Sequence, residues 1–169
     1  MRLPVTIIIL ILSFLSCKEK REGKFEHNKE VDLARVPDSL ELVANTFLKG
    51  DFNGDNIIDF ASQVKNKNNQ KNGILIIHNS ENQETYVFGA GKEVDNMTDL
   101  KWIEIFETIP KGEIVAPELV DEETGDLLGP DESQNFKLTG DGIYMSVTET
   151  HGGGIIFWNG KKYQWYHIE

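Results

Sequence analysis

Apolar residues in this chain come in short bursts separated by clusters of Asn, Asp, Gly, Lys and Pro, and the bursts follow a strand period more often than a helical one. Ile58, Phe60 and Val64 fall on one face of a segment whose other face carries Asp59, Gln63 and Lys65, which predicts a half-buried strand. Gly73-Ile74-Leu75-Ile76-Ile77 is apolar throughout and predicts a central strand buried on both faces. The polar tip from Lys65 to Asn72 joins these two as a hairpin, and Thr85-Tyr86-Val87-Phe88 adds a third strand that Gly89-Ala90-Gly91 breaks. Val36 to Asn45 supports two periods. Asp38 can cap a short helix carrying Leu40, Val43 and Phe47, or Leu40, Leu42 and Ala44 can alternate as a strand, and the strand is adopted. Asp99 to Phe106 fits both periods equally; its neighbours favour β, with Trp102 as a core anchor.

Downstream, Glu113 to Ala116 and Glu118 to Val120 are short strand candidates, and the turn Glu122 to Asp126 leads into Leu127-Leu128. Phe136-Lys137-Leu138 and Ile143 to Val147 flank Thr139-Gly140-Asp141-Gly142, which reads as a hairpin turn. Ile155 to Trp158 and Lys161 to Tyr166 flank Asn159-Gly160, the dipeptide that favours a type I′ hairpin. Tyr163 and Trp165 share one face of that last segment and Lys162, Gln164 and Tyr166 the other, so at least one aromatic row should enter the core. The expected class is mainly β, an α+β chain with little helix, built from an antiparallel meander and hairpins in one small sheet-based domain.

The N-terminus changes the picture of where this domain works. Arg2 precedes an apolar run from Val5 to Leu12, too short to span a bilayer but suited to a secretory signal over residues 1–16. Cys17, the only cysteine, follows Leu15-Ser16 directly, and this placement resembles a bacterial lipoprotein signal in which the cysteine becomes the lipidated first residue. The alternative is a plain signal peptide with an incidental cysteine. A lone cysteine allows no internal disulfide, and lipidation accounts for it. Residues 17–30 are charged nearly throughout and read as a tether or as a sorting tag, leaving residues 31–169 as a single domain. With Arg2 removed, the net charge is about −12, which argues against nucleic acid and suits equally a cation or a protein partner with a basic surface. The expected location is the bacterial cell envelope, periplasmic or surface-exposed, with the outer membrane holding the lipid at Cys17.

The chemistry concentrates in residues 51–59. Asp51, Asn53 and Asp55 place an oxygen at every second position, Ile57 offers its backbone carbonyl, and Asp59 closes the run. Calcium takes six to eight hard oxygens at about 2.3–2.6 Å, and a tightly curled loop with this alternation supplies most of them. Gly50 and Gly54 permit close backbone approach, and Asn56 stands where a left-handed residue is needed. Ser62 occupies the position of the bidentate Glu of an EF-hand, so the pattern is not that one. Asp51-x-Asn53-x-Asp55-x-x-x-Asp59, running into a strand, resembles the calcium loop of FG-GAP and VCBS repeats of integrin-type propellers. The resemblance implies a calcium ion held by Asp51, Asn53, Asp55, Ile57 and Asp59. A propeller itself is excluded, since one loop in a domain of this length cannot supply its blades. An Asx-rich turn without metal is the competing reading, because Asn, Asp and Gly dominate turns for backbone reasons alone.

Other candidates are weaker. Gly89-Ala90-Gly91-Lys92 lacks the spacing and the hydroxyl residue of a phosphate loop. Asp121, Glu122, Glu123, Asp126, Asp131 and Glu132 lack alternate spacing and read as a solvated loop. His151, before Gly152-Gly153-Gly154 and near Glu149, is the one candidate for a hydrolase base, without a recognisable nucleophile beside it. The expected function is thus a calcium-binding envelope lipoprotein, with structural calcium, acting as a non-catalytic binding or interaction module. An immunity or inhibitor lipoprotein against a basic toxin or hydrolase is the alternative, and a hydrolase using His151 the second.

Overall fold

The computed structural model describes residues 32–80, 82–148 and 153–168. The signal segment, Cys17, the tether, Glu149 and His151 lie outside the described residues. In chain order the strands are β1 (Leu40–Leu42), β2 (Leu48–Gly50), β3 (Asp59–Asn66), β4 (Asn72–Ile77), β5 (Thr85–Gly89), β6 (Ile105–Ile109) and β7 (Ile114–Val115). They continue with β8 (Glu118–Val120), β9 (Leu127–Pro130), β10 (Phe136–Lys137), β11 (Gly142–Ser146), β12 (Gly153–Trp158) and β13 (Tyr163–His167). The only helical pieces among the described residues are 3₁₀ turns at Leu33–Arg35 and Glu132–Gln134. None of the described helical segments is long and apolar enough to cross a membrane.

The first sheet has the order β1-β3-β4-β5, with β2 also paired to β3, and the second the order β13-β12-β11-β6; every pairing is antiparallel. Two short ribbons, β7 with β10 and β8 with β9, complete the strands. The domain is therefore mainly β, as its strand-period bursts predict.

The two sheets share a core. Ile74 and Ile76 from β4 meet Ile143, Met145 and Ile156 from the second sheet, together with Phe52, Ala61, Leu100 and Ile103. The alternate residues of β4, Leu75 and Ile77, face outward into a second cluster with Leu40, Phe60 and Val64. The other sheet repeats this device: Ile155 and Phe157 of β12 pack with Val115, Leu138 and Ile168, under the β7–β10 ribbon. Both central strands are thus covered on both faces, which is why their sequences are continuously apolar. Each fully buried side chain of this kind contributes about 1.5–3 kcal/mol.

Four expectations need correction. β3 is not half-buried: Asp59 and Ala61 are as inaccessible as Val64, because the second sheet covers the face that carries them, whereas Ile58 is exposed. Asp99 to Phe106 is not one strand, since Leu100 to Glu104 is irregular and β6 begins only at Ile105. Trp102 still packs against the shared core. Thr139 to Asp141 is not a hairpin turn, because β10 pairs with β7 while β11 pairs with β6 and β12. The β12–β13 hairpin forms as expected, but with a four-residue connection between the Trp158–Tyr163 pair. Gly160 alone has a positive φ, and the Asn159 side-chain oxygen accepts the N–H groups of Lys161 and Lys162. That is a side-chain-capped loop in place of a type I′ turn, which requires two left-handed residues. Tyr163 and Trp165 enter the inter-sheet core and Tyr166 the outer cluster, so both faces of β13 carry buried aromatic area.

Candidate cation-binding loop

Residues 51–58 connect β2 to β3, whose register sets Gly50 opposite Asp59. Phe52, fully buried in the shared core, pins the start of the loop, and Asp59 pins its end. The Asp59 carboxylate faces inward, where Oδ2 accepts the Phe52 N–H at 3.1 Å and Oδ1 the Asn79 N–H at 2.9 Å. Between these anchors the loop is organised by its own side chains. Asn53 Oδ1 accepts the Asp55 N–H at 3.0 Å, and Asp55 Oδ1 accepts the Ile57 N–H at 2.8 Å. Such Asx contacts bend the backbone at alternate residues. Gly54 and Asn56 take the left-handed conformation, with φ of 82° and 67°, as the loop geometry requires.

Two turns from the second sheet close over this loop. Gly140 lies so near that a Cβ there would stand 2.7 Å from the Asp51 carbonyl and 2.8 Å from the Gly54 nitrogen. Asp141 then stitches three segments: its N–H donates to the Asp51 carbonyl, while its carboxylate accepts the N–H of Asp51 at 2.8 Å and of Lys111 at 2.7 Å. The Lys111 ammonium reaches into the loop, donating to Asp51 Oδ2 at 2.9 Å, Asn56 Oδ1 at 3.1 Å and the Gly54 carbonyl at 3.3 Å.

The five sequence-predicted ligands occupy this one loop but in unlike environments. Asp51 and Asp59 are buried, Asn53 is intermediate, and Asp55 and Ile57 are exposed. Among the described residues no three acidic, His or Cys side chains converge into a metal-binding group. Their donor chemistry nevertheless suits a hard cation. Asp51 Oδ1 is buried and has no hydrogen-bond partner, a costly condition for a carboxylate oxygen. Burial, aided by the charges of Asp55 and Asp51, pushes the Asp59 carboxyl up to about 7, although the Asn79 and Phe52 N–H groups pull it down. The loop thus combines three carboxylates, two of them buried, with a single ammonium and one buried carboxylate oxygen that has no partner.

Lys111, Gly140 and Asp141 were not legible as parts of the site. Their partners in the loop lie 55–90 positions away in the chain, and no local spacing marks such contacts. The one hint was Asp141 standing between two glycines.

The described histidines are engaged elsewhere. His78 is sealed among Tyr86, Trp158 and Tyr163, and its Nε2 lies 2.6 Å from the Tyr163 hydroxyl. Burial holds its imidazole below the ordinary value, against the pull of Glu84. Tyr163→Phe should therefore cost about 1–3 kcal/mol by leaving a buried ring nitrogen unpaired, read as a lower midpoint in urea unfolding. His167 pairs with Asp95 at 2.8 Å. Comparison with known proteins returns no matching family, no matching curated protein and no matching solved structure.

Proposed function

We propose that this chain is a calcium-binding lipoprotein of the bacterial cell envelope, anchored through lipid on Cys17, in which calcium is structural and the domain is a binding or interaction module, not an enzyme. The observation that carries the reading is the buried, unpartnered Oδ1 of Asp51, in a loop whose alternating oxygens also include the sealed carboxylate of Asp59. Asp51, Asn53, Asp55, the Ile57 carbonyl and Asp59 would hold the ion. Bound calcium would supply the positive charge that lets the buried Asp59 carboxyl ionise, and would tie β2 to β3 at the seam between the sheets. Extracellular calcium modules often bind at about 10⁻⁴–10⁻³ M, so occupancy would follow the surroundings of the cell. Isothermal titration of the purified protein at pH 7.5 should give one calcium site in that range. The Asp51→Ala/Asp55→Ala variant should give no heat, and an equal response from that variant would reject the loop as the site.

A second reading, an immunity or inhibitor lipoprotein for a basic toxin or hydrolase, draws support from the β8–β9 ribbon. It exposes Leu119, Val120, Leu127 and Leu128, and its turn carries Asp121, Glu122, Glu123 and Asp126. An apolar strip tipped by acids suits a cationic protein surface.

A further inference from the structure

The most unusual feature of the loop is its internal cation. Lys111 comes from the turn after β6, in the opposite sheet, yet its ammonium donates to three oxygens of the 51–58 loop and, among the described residues, to no other group. Those acceptors are a carboxylate, a side-chain amide and a backbone carbonyl, the same kinds of donor that coordinate calcium. Asp51 belongs both to this set and to the proposed calcium ligands.

We infer that Lys111 is a built-in competitor for calcium, an affinity-setting residue whose ammonium neutralises the loop when the ion is absent and must leave Asp51 when the ion arrives. The inference rests on the calcium reading above and adds to it the device that sets the strength of binding. Three observations support it. The ammonium takes only one oxygen of Asp51, so the more highly charged ion that can use both has an advantage. The Lys111 side chain is 38% exposed, so it can swing into water without unpacking the core. Its backbone N–H is held by Asp141, which also holds the Asp51 N–H, so the root of the lysine stays beside the loop in either state. Like charges repel across a few ångströms, so ammonium and calcium cannot share Asp51 without cost.

The competition makes opposite demands on one substitution. In Lys111→Met, which keeps the length and apolar stem of the side chain, the calcium-free protein should melt at a lower temperature, because Asp51 loses its counter-charge. The same variant should bind calcium about tenfold more tightly than wild type, since the ion no longer displaces a cation. Lys111→Arg, which retains the charge, should keep weak calcium binding. The test is isothermal calcium titration and calcium-free thermal unfolding of wild type, Lys111→Met, Lys111→Gln and Lys111→Arg, with Lys111→Gln standing in if the methionine variant fails to fold. Tighter binding in the neutral variants, including binding that appears only in them, supports the inference. Unchanged or weaker calcium affinity in the neutral variants, with wild type binding, overturns it and leaves the calcium site standing. No binding by wild type or by any variant overturns the calcium reading and this inference with it.

Discussion

Gly140→Ala should destabilise the protein by about 3 kcal/mol and weaken calcium binding together. A Cβ at Gly140 meets the Asp51 carbonyl at 2.7 Å, the Gly54 nitrogen at 2.8 Å and the Phe52 carbonyl at 3.0 Å. All three are backbone atoms, so no side chain can rotate away, and the strain must move the loop or the second sheet. Moving either breaks the contacts of Asp141 to Asp51 and Lys111 that join the sheets. Gly160→Ala is the informative control. Gly160 has φ of 92° but nothing within 4 Å of its Cβ position, so only the left-handed backbone resists substitution, at about 1 kcal/mol. Urea unfolding of the two variants measures the difference directly. Equal losses would mean that close packing of the 139–141 turn on the loop contributes little.

The second large effect is a pH dependence that calcium should change. In the metal-free chain Asp59 titrates near 7 when folded, against an ordinary value of 3.8. Between these values the folded chain keeps a proton that the unfolded chain releases. The contribution of Asp59 to stability is therefore fully present below about pH 3.8 and is lost as the pH rises towards 7, at up to about 1.4 kcal/mol per pH unit. His78 acts in the opposite sense. Its folded value lies below 6.5, so its stabilising effect is present above 6.5 and fades as the pH falls below that. Both trends coexist in the acid range and obscure each other in a single profile. Calcium would separate them, because an ion on the loop would hold Asp59 ionised directly and reach His78 only through the charge of Asp55, a smaller influence there than burial and Glu84. The stabilisation by calcium should therefore grow steadily from pH 5 to pH 7.5, as the proton that competes with it is lost. Urea unfolding at a series of pH values, with and without saturating calcium, gives that difference. A calcium effect independent of pH would mean that Asp59 is not part of the site.

Much of the architecture was legible because β4 and β12 carry continuous apolar sequence, which only a strand covered on both faces requires. The meander β3–β4–β5 and the last hairpin followed from turn residues at its ends. What local pattern could not reveal was coverage from a distance. Local pattern puts Asp59 on the polar face of a half-buried strand, and it is a buried carboxylate because the second sheet packs on that face. Thr139 to Asp141 has the composition of a hairpin turn. It serves as a strut against Asp51 because β10 and β11 find their partners in β7, β6 and β12. The alternation of Asp51, Asn53 and Asp55 was readable by eye, since cation loops and Asx turns both write it into adjacent residues. The closing elements, Lys111 and Asp141, come from elsewhere in the chain and leave no such mark.

The measurement that tests the calcium site most directly is thermal unfolding at pH 7.5 of the wild-type protein and the Asp51→Ala/Asp55→Ala variant, each with calcium, with magnesium and with neither. Calcium at ten to a hundred times its dissociation constant should stabilise wild type by about 1–3 kcal/mol, seen as a midpoint several degrees higher. Magnesium should do less, because it demands a rigid octahedron and gives up water reluctantly. The variant should not respond. A wild-type midpoint that calcium leaves unchanged would contradict the account and reduce residues 51–59 to a turn held by its own Asx contacts and by Lys111.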